Sequence, residues 1–253
     1  MAVNTPTEPE PASLQQQQQP PPPPPQPQPR RPATNTTQDH DKLATGLHHN
    51  KSSWAARYRE HYSALATGQS PEILWIGCSD SRCPETAILG LQPGDVFVHR
   101  NIANMIHYSD LNSACVIEYA VVHLKVKHIV VCGHTACGGV RAALGNTALG
   151  ILDAWLLPLR RLRQQHLKEL EGMGEEGEKV TRLAELNVRE GVARLLENSA
   201  VIEAMEARGL KVHGLIYDVA SGVLRTLESD GGDEEEEHER IKARLTAFKT
   251  QRA

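Results

Sequence analysis

The sequence predicts an α/β domain built on a mainly parallel β-sheet flanked by helices. Three observations carry that expectation. Short runs of continuously apolar residues, such as Ile73-Leu74-Trp75-Ile76, have the length and patterning of strands buried on both faces. These runs alternate with longer stretches in which apolar residues recur at helical spacing. Two clusters of chemically reactive residues, around Cys78 and His134, directly follow such runs. Ligand sites in open α/β sheets lie at the carboxyl ends of strands.

Taken in order, the chain opens with a tract that cannot form a core. Gln15 to Gln19 run into Pro20 to Pro25, and Gln-Pro alternation continues to Pro29. Proline favours extended polyproline II, and glutamine brings no apolar surface. Residues 1–45 are therefore expected to be a disordered tail. Residues 46–253 are expected to form one α/β catalytic domain with an N-terminal helical arm and a C-terminal helix. The remaining ~210 residues are a comfortable size for a single domain.

Helical patterning begins at Ser52-Ser53-Trp54 and continues to about Ala66, where Thr67-Gly68-Gln69-Ser70-Pro71 breaks it. Ile73 to Ile76 is the first strand. The turn Gln92-Pro93-Gly94 leads into a second, Asp95 to Arg100. Asp110 is placed to cap a helix reaching Leu124. His128 to Cys132 reads as a third strand. A long helix is expected from Leu186 to Ala207, ended by Gly209, and a fourth strand from Leu210 to Val219. Glu169 to Glu178, acidic and glycine-rich, reads as a mobile connection. Asp230 to Glu237 reads as a solvated acidic run, and the residues from His238 as a terminal helix.

Composition narrows the function. The formal net charge is −4, from 27 basic and 31 acidic residues, which does not suggest nucleic-acid binding. No apolar stretch is long enough to span a membrane. Five cysteines, an odd number and all in or near apolar runs, do not resemble a secreted disulfide framework. The N-terminus has no charged-then-apolar signal pattern. It carries Glu8 and Glu10 and no arginine before Arg30, unlike a mitochondrial transit peptide. A cytoplasmic location is expected, with mitochondria as the alternative.

The chemistry rests on Gly77-Cys78-Ser79-Asp80-Ser81-Arg82 and Gly133-His134-Thr135-Ala136-Cys137-Gly138-Gly139. Cys78, His134 and Cys137 are a soft set of three ligands suited to zinc. Three protein ligands leave a fourth tetrahedral position open, as in catalytic zinc sites. Asp80 is placed either to accept a hydrogen bond from water at that position, held by Arg82, or to bind the metal itself in a closed state. A plain salt bridge within the loop is the alternative.

The two motifs resemble the signatures of the β-class carbonic anhydrases. His99-Arg100-Asn101-Ile102-Ala103-Asn104 is similar to that family's Arg-Asn segment. Glu118-Tyr119-Ala120-Val121 and Val212 to Asp218 fit as well, so the likeness runs from about Trp54 to about Leu227. Cys83-Pro84-Glu85 and the Gln/Pro tail look most like fungal members. The resemblance implies one Zn2+ per chain on Cys78, His134 and Cys137, and an Asp80–Arg82 catalytic dyad. It implies substrate contacts from Gln69, Phe97, Ile102, Tyr119 and Gly138, often across a subunit interface. The implied activity is reversible hydration of carbon dioxide to bicarbonate and a proton by zinc-bound hydroxide. The implied assembly is a homodimer or larger homo-oligomer. His99 and His107 are possible proton relays. A purely structural or sensory zinc, or turnover of another small electrophile such as carbon disulfide, are the competing readings.

Overall fold

The computed structural model describes residues 41–57, 59–107 and 109–227. The Gln/Pro tract, the acidic run 230–237 and the terminal helix expected from His238 lie outside the described residues. The chain divides into two compact units, Met1–Arg57 and Tyr58–Ala253.

In the first unit, helix α1 (Lys42–His49) continues through a π-helical turn (Asn50–Trp54) into α2 (Ala55–Arg57). Helix begins well before Ser52, because Asp41 supplies a cap: its side chain accepts from the Leu43 N–H. All of α1 is exposed.

The second unit holds the sheet. In chain order it contains α3 (Arg59–Leu65), β1 (Ile73–Cys78), α4 (Glu85–Leu89), β2 (Val96–Asn101), α5 (Leu111–Glu118), β3 (His128–His134), α6 (Gly138–Leu144), α7 (Ile151–Gln165), α8 (Leu167–Glu171), α9 (Glu176–Leu195), α10 (Ser199–Arg208), β4 (Lys211–Tyr217) and β5 (Leu224–Thr226). Among the described residues the strand order is β2-β1-β3-β4-β5. The first four strands are parallel, and β5 pairs antiparallel to β4. The expected mainly parallel α/β architecture is the one observed.

Side chains alternate along β1. Leu74, Ile76 and Cys78 join the main core, while Trp75 turns to the other face and packs with Val130 and Cys132. Helix α9 lies on β3 and β4, where glycines remove the side chains that would hold it off. A Cβ on Gly133 would stand 2.8 Å from Val188 Cγ2, and one on Gly214 would stand 3.1 Å from Val188 Cγ1.

Several elements depart from the sequence-based expectations. The helix expected over 186–207 is two helices, α9 and α10. Asn198 interrupts it by accepting from the N–H groups of Ala200 and Val201, which starts a new helix. The connection expected over Glu169 to Glu178 is mostly helical, since α8 reaches Glu171 and α9 starts at Glu176. Arg182 pairs with Glu169 at 2.5 Å, tying α9 to α8. The Asp110 cap is present: its carboxylate accepts from Asn112 and Ser113.

A candidate metal centre at the ends of β1 and β3

The register of the sheet brings the two sequence motifs together. Cys78 closes β1 and His134 closes β3, its hydrogen-bonded neighbour, so both side chains emerge at the same edge. Cys137 arrives three residues later, where the chain turns into α6. Ala136 makes that turn with φ 54°, a left-handed backbone uncommon for a residue with a side chain. The ligand atoms of Cys78, His134 and Cys137 lie within 4.8 Å of one another, and all three residues are buried.

The donor set fits a divalent metal on several grounds. The two sulfurs are 4.0 Å apart. Two thiolates each ~2.3 Å from a tetrahedral ion stand about 3.8 Å apart. The His134 ring is 1% exposed and points its Nδ1 at the Thr135 carbonyl, 2.9 Å away. That bond fixes the ring and leaves Nε2 to face the sulfurs, the usual arrangement for a ligating histidine. Nε2 is buried and no protein group meets it in hydrogen-bond geometry. A buried polar atom without a partner is costly unless something absent from the polypeptide satisfies it.

Electrostatics agree. The Cys78 and Cys137 sulfurs share a hydrogen bond that either can donate. With the Cys78 sulfur as acceptor, this bond, His134 and the N–H groups of Asp80 and Ala103 lower the Cys78 thiol below its ordinary value, against the opposing cost of burial. The same bond and burial push Cys137 up, although Val140 and Gly139 also offer it N–H groups. Burial pulls His134 down, but the nearby sulfurs of Cys78 and Cys83 outweigh it and raise the imidazole to about 10. The pocket therefore holds one thiolate readily and resists a second beside it. A cation among these ligands, replacing the imidazole and thiol protons, removes that resistance.

Asp80 borders the triad. Its Oδ2 is 3.8 Å from His134 Nε2. Arg82 grips the carboxylate with Nε to Oδ1 at 2.9 Å and Nη2 to Oδ2 at 2.7 Å, while its own main-chain N–H also donates to Oδ1. The Arg82 bonds hold Asp80 well below the usual carboxylate range. Nη2 also reaches the Ala136 carbonyl, linking the two motif loops. Arg100 supports the same loop from β2, donating to the carbonyls of Cys78 at 2.8 Å and Asp80 at 2.5 Å. Sequence reasoning gave Arg100 no role. Its position in the His99–Asn104 segment was the available signal.

The remaining candidates divide into two places. Ile102 is exposed and stands against α6, since a Cβ on Gly139 would come within 2.9 Å of its Cγ2. Beside it, a Cβ on Gly138 would meet nothing within 4 Å, so that helix start is open. Phe97 stacks on Tyr119 with ring centroids 5.7 Å apart. Phe97 pairs with Leu74, four positions before the Asn101–Cys78 pair. At ~3.3 Å per residue this puts it about 13 Å along the sheet from the triad. Gln69 is exposed in the loop before β1. The nearby Glu72 N–H donates to the Asp95 carbonyl, at the amino end of the strands. One chain therefore does not gather Gln69, Phe97 and Tyr119 around its own triad. Of the two histidines considered as relays, His99 is buried, with its Nε2 3.1 Å from the Asn101 amide, and His107 stacks on Trp155 at 4.5 Å.

Comparison with known proteins supplies the family. The family profile described as carbonic anhydrase matches residues 73–224, which includes both motif loops. A carbonic anhydrase of Emericella nidulans is 48% identical over 198 residues, covering 76% of this chain and 85% of its own. The chain belongs to the carbonic anhydrase family. More narrowly, it is a fungal carbonic anhydrase of the β class. The crystal structure of the β-carbonic anhydrase CafA of Aspergillus fumigatus superimposes with a TM-score of 0.76 at 63% identity, over 82% of this chain and 99% of that one. A β-carbonic anhydrase of Sordaria macrospora, described as tetrameric, gives 0.71 at 52% identity, over 74% and 98%. As a carbonate dehydratase, this carbonic anhydrase interconverts carbon dioxide and bicarbonate. No described helix is long and apolar enough to cross a membrane.

Proposed function

We propose that this carbonic anhydrase is zinc-dependent, with Cys78, His134 and Cys137 holding one ion per chain and Asp80–Arg82 organising the open side. The buried, unpartnered Nε2 of His134 facing two sulfurs is the observation that carries the reading. Bound there, zinc would lower the pKa of water to ~7 and so supply hydroxide at neutral pH.

The polypeptide contributes orientation. Asp80 is paired with Arg82, which favours the open state over the one in which the carboxylate ligates the metal. Because Arg82 keeps Asp80 ionised, the carboxylate accepts a hydrogen bond but is a poor store for a proton. The proton released in the reaction therefore leaves for solvent or buffer. Exposed Ile102 offers an apolar wall suited to carbon dioxide, and open Gly138 leaves room for substrate against the backbone.

Gln69, Phe97 and Tyr119 serve a site in this reading only when a second copy brings them there. The exposed Tyr119 and Val122 mark an apolar surface consistent with such a contact. The tetrameric Sordaria relative supports a homo-oligomer. A cytoplasmic, reducing location would keep Cys78 and Cys137 available as thiolates.

X-ray absorption at the zinc edge tests the ligand set. Two sulfurs and one nitrogen from the protein, with Cys137→Ser losing one sulfur, is the expected result. Stoichiometric zinc with no sulfur ligands would contradict it.

A further inference from the structure

The turn after β2 is built from residues that disfavour its shape. Ala103 has φ 62° and Asn104 has φ 45°, and neither is glycine. Residues with a Cβ are sterically disfavoured there, and such conformations persist only where their surroundings over-determine them. Three side chains do so. The Asn101 amide accepts from the Met105 N–H at 2.7 Å and donates to its carbonyl at 2.8 Å. Trp155 Nε1, from α7, donates to the Ile102 carbonyl at 2.9 Å. Asn187 Nδ2, from α9, donates to the Ala103 carbonyl at 2.8 Å. Asn187 is only 6% exposed, a polar side chain placed deep in the helix–sheet interface.

The turn touches the metal centre from two sides. It packs against the start of α6, where a Cβ on Gly139 would lie 3.2 Å from Ala103 Cβ. On the other side, Asn101, whose amide closes the turn, accepts at its carbonyl from the Ser79 N–H at 2.8 Å, the residue next to Cys78.

We propose that Asn187 and Trp155 are positioning residues for the metal centre: by holding the carbonyls of Ala103 and Ile102 they fix the strained turn that packs between the start of α6, beside Cys137, and the loop after Cys78. Groups behind the ligands set where the ligating sulfurs stand and so how strongly they donate to the metal. The inference rests on the metal reading above.

The test is cobalt(II) binding to the full chain, followed by the sulfur-to-cobalt charge-transfer band and by competition with a chelator. Asn187→Leu keeps the volume and removes the donor. It is expected to weaken cobalt binding about 10- to 100-fold and to move the band. Trp155→Phe is expected to shift both in the same direction by less. Val180→Ala, in the buried face of α9, is expected to lower the melting temperature and leave band and affinity unchanged. A folded Asn187→Leu protein with the parent band and affinity would overturn the proposal. So would Val180→Ala moving both as far. If Asn187→Leu does not fold, Trp155→Phe decides, and an unmoved band overturns the proposal. Failure of the parent protein to bind cobalt would overturn the metal reading itself, before any variant is compared.

Discussion

Replacing Arg82 by lysine isolates what the guanidinium does. Arg82 supplies three donors to Asp80: Nε at 2.9 Å, Nη2 at 2.7 Å and its main-chain N–H at 2.9 Å. The main-chain donor survives any substitution that leaves the loop in place, so the variant loses the two-pronged grip but not every contact. Lysine keeps the charge without the planar fork. Arg82 is 46% exposed, so solvent screening discounts the pair heavily. The loss in orientation is then about 0.5–1 kcal/mol, or roughly 2- to 5-fold in the population of correctly turned carboxylate. Stopped-flow hydration of carbon dioxide by zinc-loaded Arg82→Lys should show kcat reduced by about that factor, with zinc content unchanged. Asp80→Asn, which removes the acceptor charge, should lose more, about 10²-fold or beyond. Full activity in Arg82→Lys would refute the orienting role. Loss of zinc in step with activity would move Arg82 from orienting Asp80 to supporting the ligand loop.

Other consequences can be measured separately. Gly133→Ala pushes a methyl group against Val188 and Ile216 and should cost ~1–3 kcal/mol, seen in calorimetry as a melting temperature lower by about 2–10 °C. An unchanged melting temperature would mean that α9 can yield at that point. Asn198→Ala removes the cap that starts α10 and should lower stability by ~1 kcal/mol in denaturant titrations. Burial holds His99, His107 and His213 below the ordinary histidine value. The unfolded chain therefore binds protons there, below pH ~6.5, that the folded chain refuses, and stability falls as pH drops through that value. The urea midpoint should be lower at pH 5.5 than at pH 7.5, and an equal or higher midpoint at pH 5.5 would reverse the sign.

Much of this was readable in the chain because it rests on local pattern. Ile73 to Ile76 is apolar throughout, since β1 is covered on both faces, and the strand predicted there is the strand observed. Cys78 and His134 stand directly after such runs, so their meeting follows from the pairing of β1 with β3. Other features left no local mark. β5 has three residues, Leu-Arg-Thr, and exists through its pairing with β4. Helix α7 carries Pro158 in its interior, which reads as a helix breaker. The left-handed turn at Ala103 and Asn104 contains no glycine to announce it, and it is held by Asn187, 84 positions away. The separation of Gln69 and Phe97 from the triad appears only once the register of β1 and β2 is known.

The most direct measurement is stopped-flow carbon dioxide hydration across pH 6 to 9, with zinc quantified in the same sample. The protein is measured as purified, after chelation, and after zinc is restored. Rapid turnover with one zinc per chain, lost on chelation and recovered with zinc, is the result expected. Turnover that persists in zinc-free protein, or one zinc per chain with no turnover at any pH, would contradict a catalytic zinc held by Cys78, His134 and Cys137.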